Sequence, residues 1–257
     1  RDPVHTRNRI RSELLPALAA FNPSIDDALL GLAESARDAF GVLERRSFEP
    51  RAVERGPVGA IYEAAALAGL PAESLWLVVE REAAFFHLEP AVNRTRLENL
   101  RQVLRRGSGS VAFGDTVVDV SAGRVRIGPR LEPVEPLPPV LLDVPGSRRF
   151  GPWRVDVLTS PADPAPQAPV AGLAAASLRG ALRARHLQPG DRIAWRGVTR
   201  KVSDLLIDQK VPAWERPGAV AITDAGGPAA IFTASRVFTR DAGESPDLWV
   251  RLAPLPR

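Results

Sequence analysis

Leu104-Arg105-Arg106-Gly107-Ser108-Gly109-Ser110-Val111-Ala112-Phe113 is the stretch at which the hydrophobic rhythm of this chain changes. Before it, apolar residues recur every three or four positions, the period of a helix; after it they alternate, the period of a strand. A run of helices followed by a run of strands predicts an α+β chain. The expected form is an N-terminal helical bundle ending in short β-hairpins, then a mixed, mainly antiparallel β domain with one or two short helices.

Toward the N-terminus, Ile10, Leu14, Leu18 and Phe21 keep helical spacing, as do Leu29, Leu30, Leu32, Phe40 and Leu43. Asn22-Pro23-Ser24 interrupts the pattern and offers Ser24 as a cap for the next helix. Gly69-Leu70-Pro71 separates helices expected at about 58–68 and 71–87, while Pro90 and Asn93 introduce a last one ending near Arg106. The predicted core of this part is Leu75, Leu77, Val78, Phe85, Leu97, Leu100 and Leu104.

Toward the C-terminus, Val111 and Phe113, Val117 to Val120, and Val125 and Ile127 read as hairpin strands turning at Gly114-Asp115 and Ala122-Gly123. The stiff stretch Glu132-Pro133-Val134-Glu135-Pro136-Leu137-Pro138-Pro139 reads as a linker. Pro161 to Pro169 reads as a loop inside the following domain. Strands are expected at 139–143, 153–158, 180–187, 192–195, 219–223, 229–233 and 247–252. The division predicted is 1–22, a linker helix; 23–130, a helical domain with terminal hairpins; and 131–257, a β-rich domain.

Of 257 residues, 45% are apolar and 25% charged, as in a globular protein of one large or two ordinary domains. Without cysteine there are no disulfides, thiolate metal sites or thiol nucleophiles, which fits a cytoplasmic location. His5, His87 and His186 have no ligand spacing, so no metal site is expected. No apolar run approaches the roughly 20 residues of a membrane span, so no membrane partner is expected. The absence of methionine, even at Arg1, leads to the expectation that this is a piece of a longer chain.

Charge is unevenly placed. Of 34 basic residues only Lys201 and Lys210 are lysines, and both fall in one short segment. From Leu178 to Arg216 nine basic residues face four acids, and residues 1 to 11 carry four arginines against Asp2. Because the net charge of the whole is only +4, the remainder is mildly acidic. Two basic regions on such a chain point to a polyanion, above all nucleic acid.

The first basic region is Arg7-Asn8-Arg9-Ile10-Arg11, in which Arg7 and Arg11 lie one helical turn apart. A solvated helix end accounts for it equally simply. The second spans Arg183 to Arg216. There Gln188-Pro189-Gly190-Asp191-Arg192 is a turn, and Arg200-Lys201 opens a short helix in which Val202, Leu205 and Leu206 share a face. Cations gathered at that N-terminus suit phosphates. The alternative is internal pairing, Arg200 with Asp204, and Asp204 and Asp208 competing for Lys201. Trp153, Trp195, Trp214, Trp249 and Phe232 are read as core before base-stacking, with Trp214 the one to test. No catalytic triad, carboxylate pair or P-loop can be assembled.

Taken in order, Arg7-Asn8-Arg9-Ile10-Arg11 with Leu14-Leu15-Pro16, Pro189-Gly190-Asp191-Arg192, Arg200-Lys201-Val202-Ser203-Asp204-Leu205-Leu206-Ile207-Asp208 and Lys210-Val211-Pro212 resemble the C-terminal part of bacterial tRNA(Ile)-lysidine synthetases. The resemblance implies an ATP-dependent ligase that adenylates the wobble cytidine of an isoleucine tRNA and lets lysine displace AMP. ATP, and magnesium with it, would belong to an N-terminal PP-loop domain whose Ser-Gly-Gly-x-Asp-Ser motif is absent here, leaving this part catalytically inert. Arg7, Asn8, Arg9 and Arg11 would then lie near that active site. Arg183, Arg185, Arg192, Arg200, Lys201, Ser203, Lys210 and Arg216 would be tRNA-binding. At Ile231-Phe232-Thr233-Ala234-Ser235 the chain departs from the Ile-Trp-Val type of strand usual in the family. The competing reading is a docking or dimerisation module with internally paired arginines, and a homodimer stays open under both.

Overall fold

Pro16 shapes the first helix. In the computed structural model, which describes residues 6–46, 50–160, 168–241 and 245–255, α1 (Thr6–Arg9) passes through a π-turn (Ile10–Leu14) into α2 (Leu15–Phe21). A proline has no N–H and collides with the carbonyl four residues back. The widened turn accommodates it, with Leu15 N–H bonded to Ile10 O, five residues back. Asn22 then closes an Asx turn by accepting from Ser24 N–H at 3.1 Å, and α3 (Ile25–Arg46) follows. These helices leave much of their apolar surface open: Phe21 is 91% exposed and Leu32 67%. The side chains of Phe40 and Leu43, and the segments 1–5 and 161–167, lie outside the described residues.

The helices that follow pack in two layers, three helices on a sheet. After β1 (Glu54–Gly56) and β2 (Gly59–Glu63) come α4 (Ala64–Ala68), α5 (Ala72–Phe85) and α6 (Arg94–Arg106). β3 (Gly109–Phe113), β4 (Thr116–Ser121) and β5 (Arg124–Pro129) complete an antiparallel sheet of order β1-β2-β5-β4-β3. The helix expected over 58–68 is thus a strand followed by one short helix. Gly59 to Tyr62 are buried on both faces, so no alternation marks them as a strand. Gly59 has φ +134 and sits where a Cβ would lie 2.6 Å from Ile127 O, a close approach that only glycine permits.

Helix α5 buries Leu75, Val78, Val79, Glu82 and Ala83, an i, i+3, i+4, i+7, i+8 stripe. Leu77 flanks that stripe half-buried, and Phe85, expected in the core, is 59% exposed with the Arg55 guanidinium over its ring. Asn93 caps α6 by accepting from Arg96 N–H at 2.9 Å, and Leu97, Leu100 and Leu104 are buried as expected. Buried Glu82 accepts from Arg55 at 2.8 and 2.9 Å, from Arg81 and from Tyr62. Burial and the bond to Glu82 push the Tyr62 phenol up to about 12.

The C-terminal half is built on two sheets sharing a core. β6 (Val140–Leu141), β7 (Gly146–Phe150), β8 (Trp153–Leu158), β9 (Val170–Leu173), β10 (Arg183–His186), β11 (Arg192–Trp195), β12 (Val198–Lys201), α7 (Val202–Asp208), β13 (Val220–Asp224), β14 (Gly227–Phe232), β15 (Val237–Thr239) and β16 (Leu248–Pro254) follow in order. One sheet runs β15-β14-β13-β10-β6 and the other β7-β8-β16-β9. Val155, Val157, Leu173, Ala184, Ile222, Phe232 and Val250 fill the space between them. On the far face of the first sheet, Ile231 and Phe238 meet Ile193, Val202, Leu205, Leu206 and Val211, which seats α7 and the β11-β12 hairpin. Alternate residues of β14 therefore serve two cores. Phe232 is 1% exposed, so it belongs to the packing. Strands β7, β9, β12 and β15 were not expected; each is only three to five residues long.

Candidate nucleic-acid interface

Hairpin β11-β12 and helix α7 carry the second basic region. Arg200 and Lys201 do not open the helix as predicted: they end β12, and Lys201 is the extended residue before α7. The ladder pairs Arg192 with Lys201, Ile193 with Arg200, Ala194 with Thr199 and Trp195 with Val198. Cross-strand partners share a face, so Ile193 goes into the core while Arg192 and Lys201 stand side by side in solvent. Two like charges directly opposite each other destabilise a hairpin unless an anion lies between them. Among the described residues neither has a carboxylate partner; Arg192 only donates to Thr199 O at 3.3 Å.

Lys210 is exposed as well. Helix α7 ends in a Schellman motif, with Lys210 N–H on Ile207 O at 3.0 Å and Val211 N–H on Leu206 O at 2.9 Å. Buried Val211 packs with Leu206, the apolar contact that accompanies this motif. The left-handed position is Lys210 itself, φ +57, where glycine is usual. Among the described residues its ammonium group has no carboxylate partner.

Most of the other predicted contacts are engaged elsewhere. Arg185 grips Asp191 at 2.7 and 2.8 Å, with both side chains largely buried. Burial pushes the Asp191 carboxyl up, but Arg185 and the Gln188 N–H outweigh it and hold it below the usual carboxylate range. This pair fixes the Gln188–Asp191 turn, and Val202 N–H bonds Asp191 O at 2.8 Å. Arg200 pairs with Asp208 and not with Asp204. Arg216 donates twice to Val211 O, at 2.8 and 3.0 Å, bracing the Lys-Val-Pro loop. Ser203 bonds Asp204. Arg183 is exposed on β10, opposite Thr223, on the five-stranded sheet and not on the hairpin.

In the first basic region Arg7 and Arg11 are exposed, Arg9 faces Glu13 at 3.6 Å, and Asn8 O accepts from Ser12. Sequence reasoning missed Arg196, because with β12 unrecognised the two-residue turn Arg196-Gly197 was hidden. Both residues have positive φ, +52 and +78, as a type I′ turn requires. It also missed Asp224, which accepts from Arg240 twice and from the N–H groups of Arg179 and Gly226, closing the β13-β14 turn.

Residues 181–243, which contain the hairpin, α7 and their supporting strands, match the model of a family described as the TilS substrate C-terminal domain. It is residues 181–243, and no more of the chain, that are similar to this family. A solved TilS C-terminal domain is 20% identical, with a TM-score of 0.34, over 47% of this chain and 100% of that one. No curated protein matches. The matched segment includes Arg183, Arg185, Arg192, Arg200, Lys201, Lys210 and Arg216, exposed and engaged alike. Among the described residues, no helix is long and apolar enough to cross a membrane.

Proposed function

We propose that this chain is the tRNA-recognition part of a tRNA(Ile)-lysidine synthetase, the cytoplasmic ligase that attaches lysine to the wobble cytidine of an isoleucine tRNA. The observation that carries the reading is the coincidence, inside one TilS-type segment, of the family match and of exposed cations without carboxylate partners among the described residues, above all Arg192, Lys201 and Lys210. Arg192 and Lys201 would straddle a phosphate, while Lys210, beyond the other end of α7, would meet another about 13 Å away at helical rise. Arg185, Arg200 and Arg216 hold this surface in shape from within.

The adenylation chemistry, with ATP, magnesium and lysine, belongs in this proposal to a PP-loop domain outside the present sequence, near which Arg7, Asn8, Arg9 and Arg11 would lie. At two of the glycine turns the amides are engaged within the chain. Gly226 N–H is held by Asp224 at 2.7 Å, and Gly107 N–H closes the end of α6. No step of the reaction is therefore assigned to these residues.

The test is titration of the chain with an isoleucine tRNA across a salt series. The R192A/K201A double variant should lower the salt slope by about 2 and bind roughly tenfold more weakly at low salt, with no fall in Tm. Unchanged RNA binding with a lowered Tm or altered assembly would favour the docking or dimerisation reading, to which the internal pairing of Arg185 and Arg200 lends support.

A further inference from the structure

We propose that Arg196, lying over Trp195 at the tip of the β11-β12 hairpin, is a platform for an unpaired nucleobase. This rests on the RNA-binding reading above and adds a second kind of contact to it.

Four observations converge. First, Arg196 occupies a left-handed turn position, φ +52, at which Asn, Asp or Gly is the relaxed choice. Second, its guanidinium carbon lies 4.4 Å from the centre of the Trp195 ring. Among the described residues it takes no carboxylate or carbonyl, even though Asp241 is close enough to bond Gly197 N–H at 2.6 Å. Third, the tip is braced from behind: Asp241 N–H returns to Ala194 O at 3.0 Å. Trp195 is half-buried edge-on to Phe238, with ring centres 6.4 Å apart. Fourth, the hairpin is four residue pairs long, so the Arg192–Lys201 pair stands about 10 to 13 Å from the tip at strand rise.

A surface cation placed for phosphate alone needs no aromatic beneath it, as Lys201 and Lys210 illustrate. A guanidinium over an indole is a flat, pre-ordered surface whose outer side can stack on a base. Bases within a duplex already stack on one another and offer only their edges, so the platform suits a single-stranded base next to a helical stem. Phosphates held at Arg192 and Lys201 would bring the stem alongside, and the first unpaired base beyond it would reach the tip.

The experiment compares the intact chain and its R196A, R196K and R196G variants for binding a blunt RNA duplex and the same duplex with a short 3′ single-stranded extension. Gly is at ease in the turn, so R196G guards against misfolding. The extension should tighten binding by the wild-type chain roughly 5- to 100-fold. All three variants should lose most of that increment while binding the blunt duplex as the wild type does, and the increment should depend little on salt. Equal weakening toward both RNAs would make Arg196 an ordinary phosphate contact and overturn the platform, as would an increment that survives in R196A. If neither RNA binds the wild-type chain, the RNA-binding reading itself fails and this proposal falls with it.

Discussion

Among single residues, Lys210 and Asp191 separate function from structure. Lys210 holds a left-handed conformation that glycine adopts without strain, so K210G should raise stability by about 1 kcal/mol. The same change should weaken tRNA binding several-fold, and denaturant unfolding beside an RNA titration reads both; a gain in stability with no loss of affinity would free Lys210 of any role in recognition. Asp191 gives the opposite pattern. Its carboxyl is held low in the fold, so its pair with Arg185 stabilises fully above the ordinary carboxylate range near pH 4 and is lost as pH falls through the depressed native value. D191N, which leaves Arg185 buried and unpaired, should cost about 3 kcal/mol at neutral pH and flatten the acid limb of the stability profile. Neither role was visible in residue types alone: a lysine after a helix and an aspartate in a Pro-Gly turn are ordinary until φ and burial are known.

The elements show where periodicity informs and where it cannot. Helix α7 was legible because one face of it is apolar and the other polar, and Leu205 is completely buried on that face. L205A should therefore cost about 3 kcal/mol in denaturant unfolding and loosen the hairpin packed beside it, with loss of RNA affinity. Strand β2 was illegible for the converse reason: buried on both sides, it alternates nothing, and beside the alanines of α4 it imitates a helix. Strand β12 was missed because its four residues are polar or exposed and run directly into α7. That error concealed the Arg192–Lys201 pairing and the Arg196 turn together, since both exist only through the register of the hairpin.

Over the whole molecule, the helix-on-sheet core of residues 60–127 and the two-sheet core of residues 142–252 are distinct. Ala213 N–H bonds Ser121 Oγ at 3.0 Å between them, tying the Lys-Val-Pro loop to the β4-β5 turn. Scanning calorimetry should accordingly resolve two transitions, with L205A shifting only the one that belongs to the C-terminal half. A single two-state transition would show that the halves are one cooperative unit. The sequence by itself determined that helices precede strands, where glycine and proline break them, and that the positive charge gathers between Leu178 and Arg216, because period, turn chemistry and composition are local properties of a chain. Only the tertiary structure decided which of those cations remain available. Arg185, Arg200 and Arg216 find partners, while Arg192, Lys201, Lys210 and Arg196 stand free of carboxylates among the described residues. Ion pairing depends on groups brought within about 4 Å by folding, and no spacing along the chain encodes that distance.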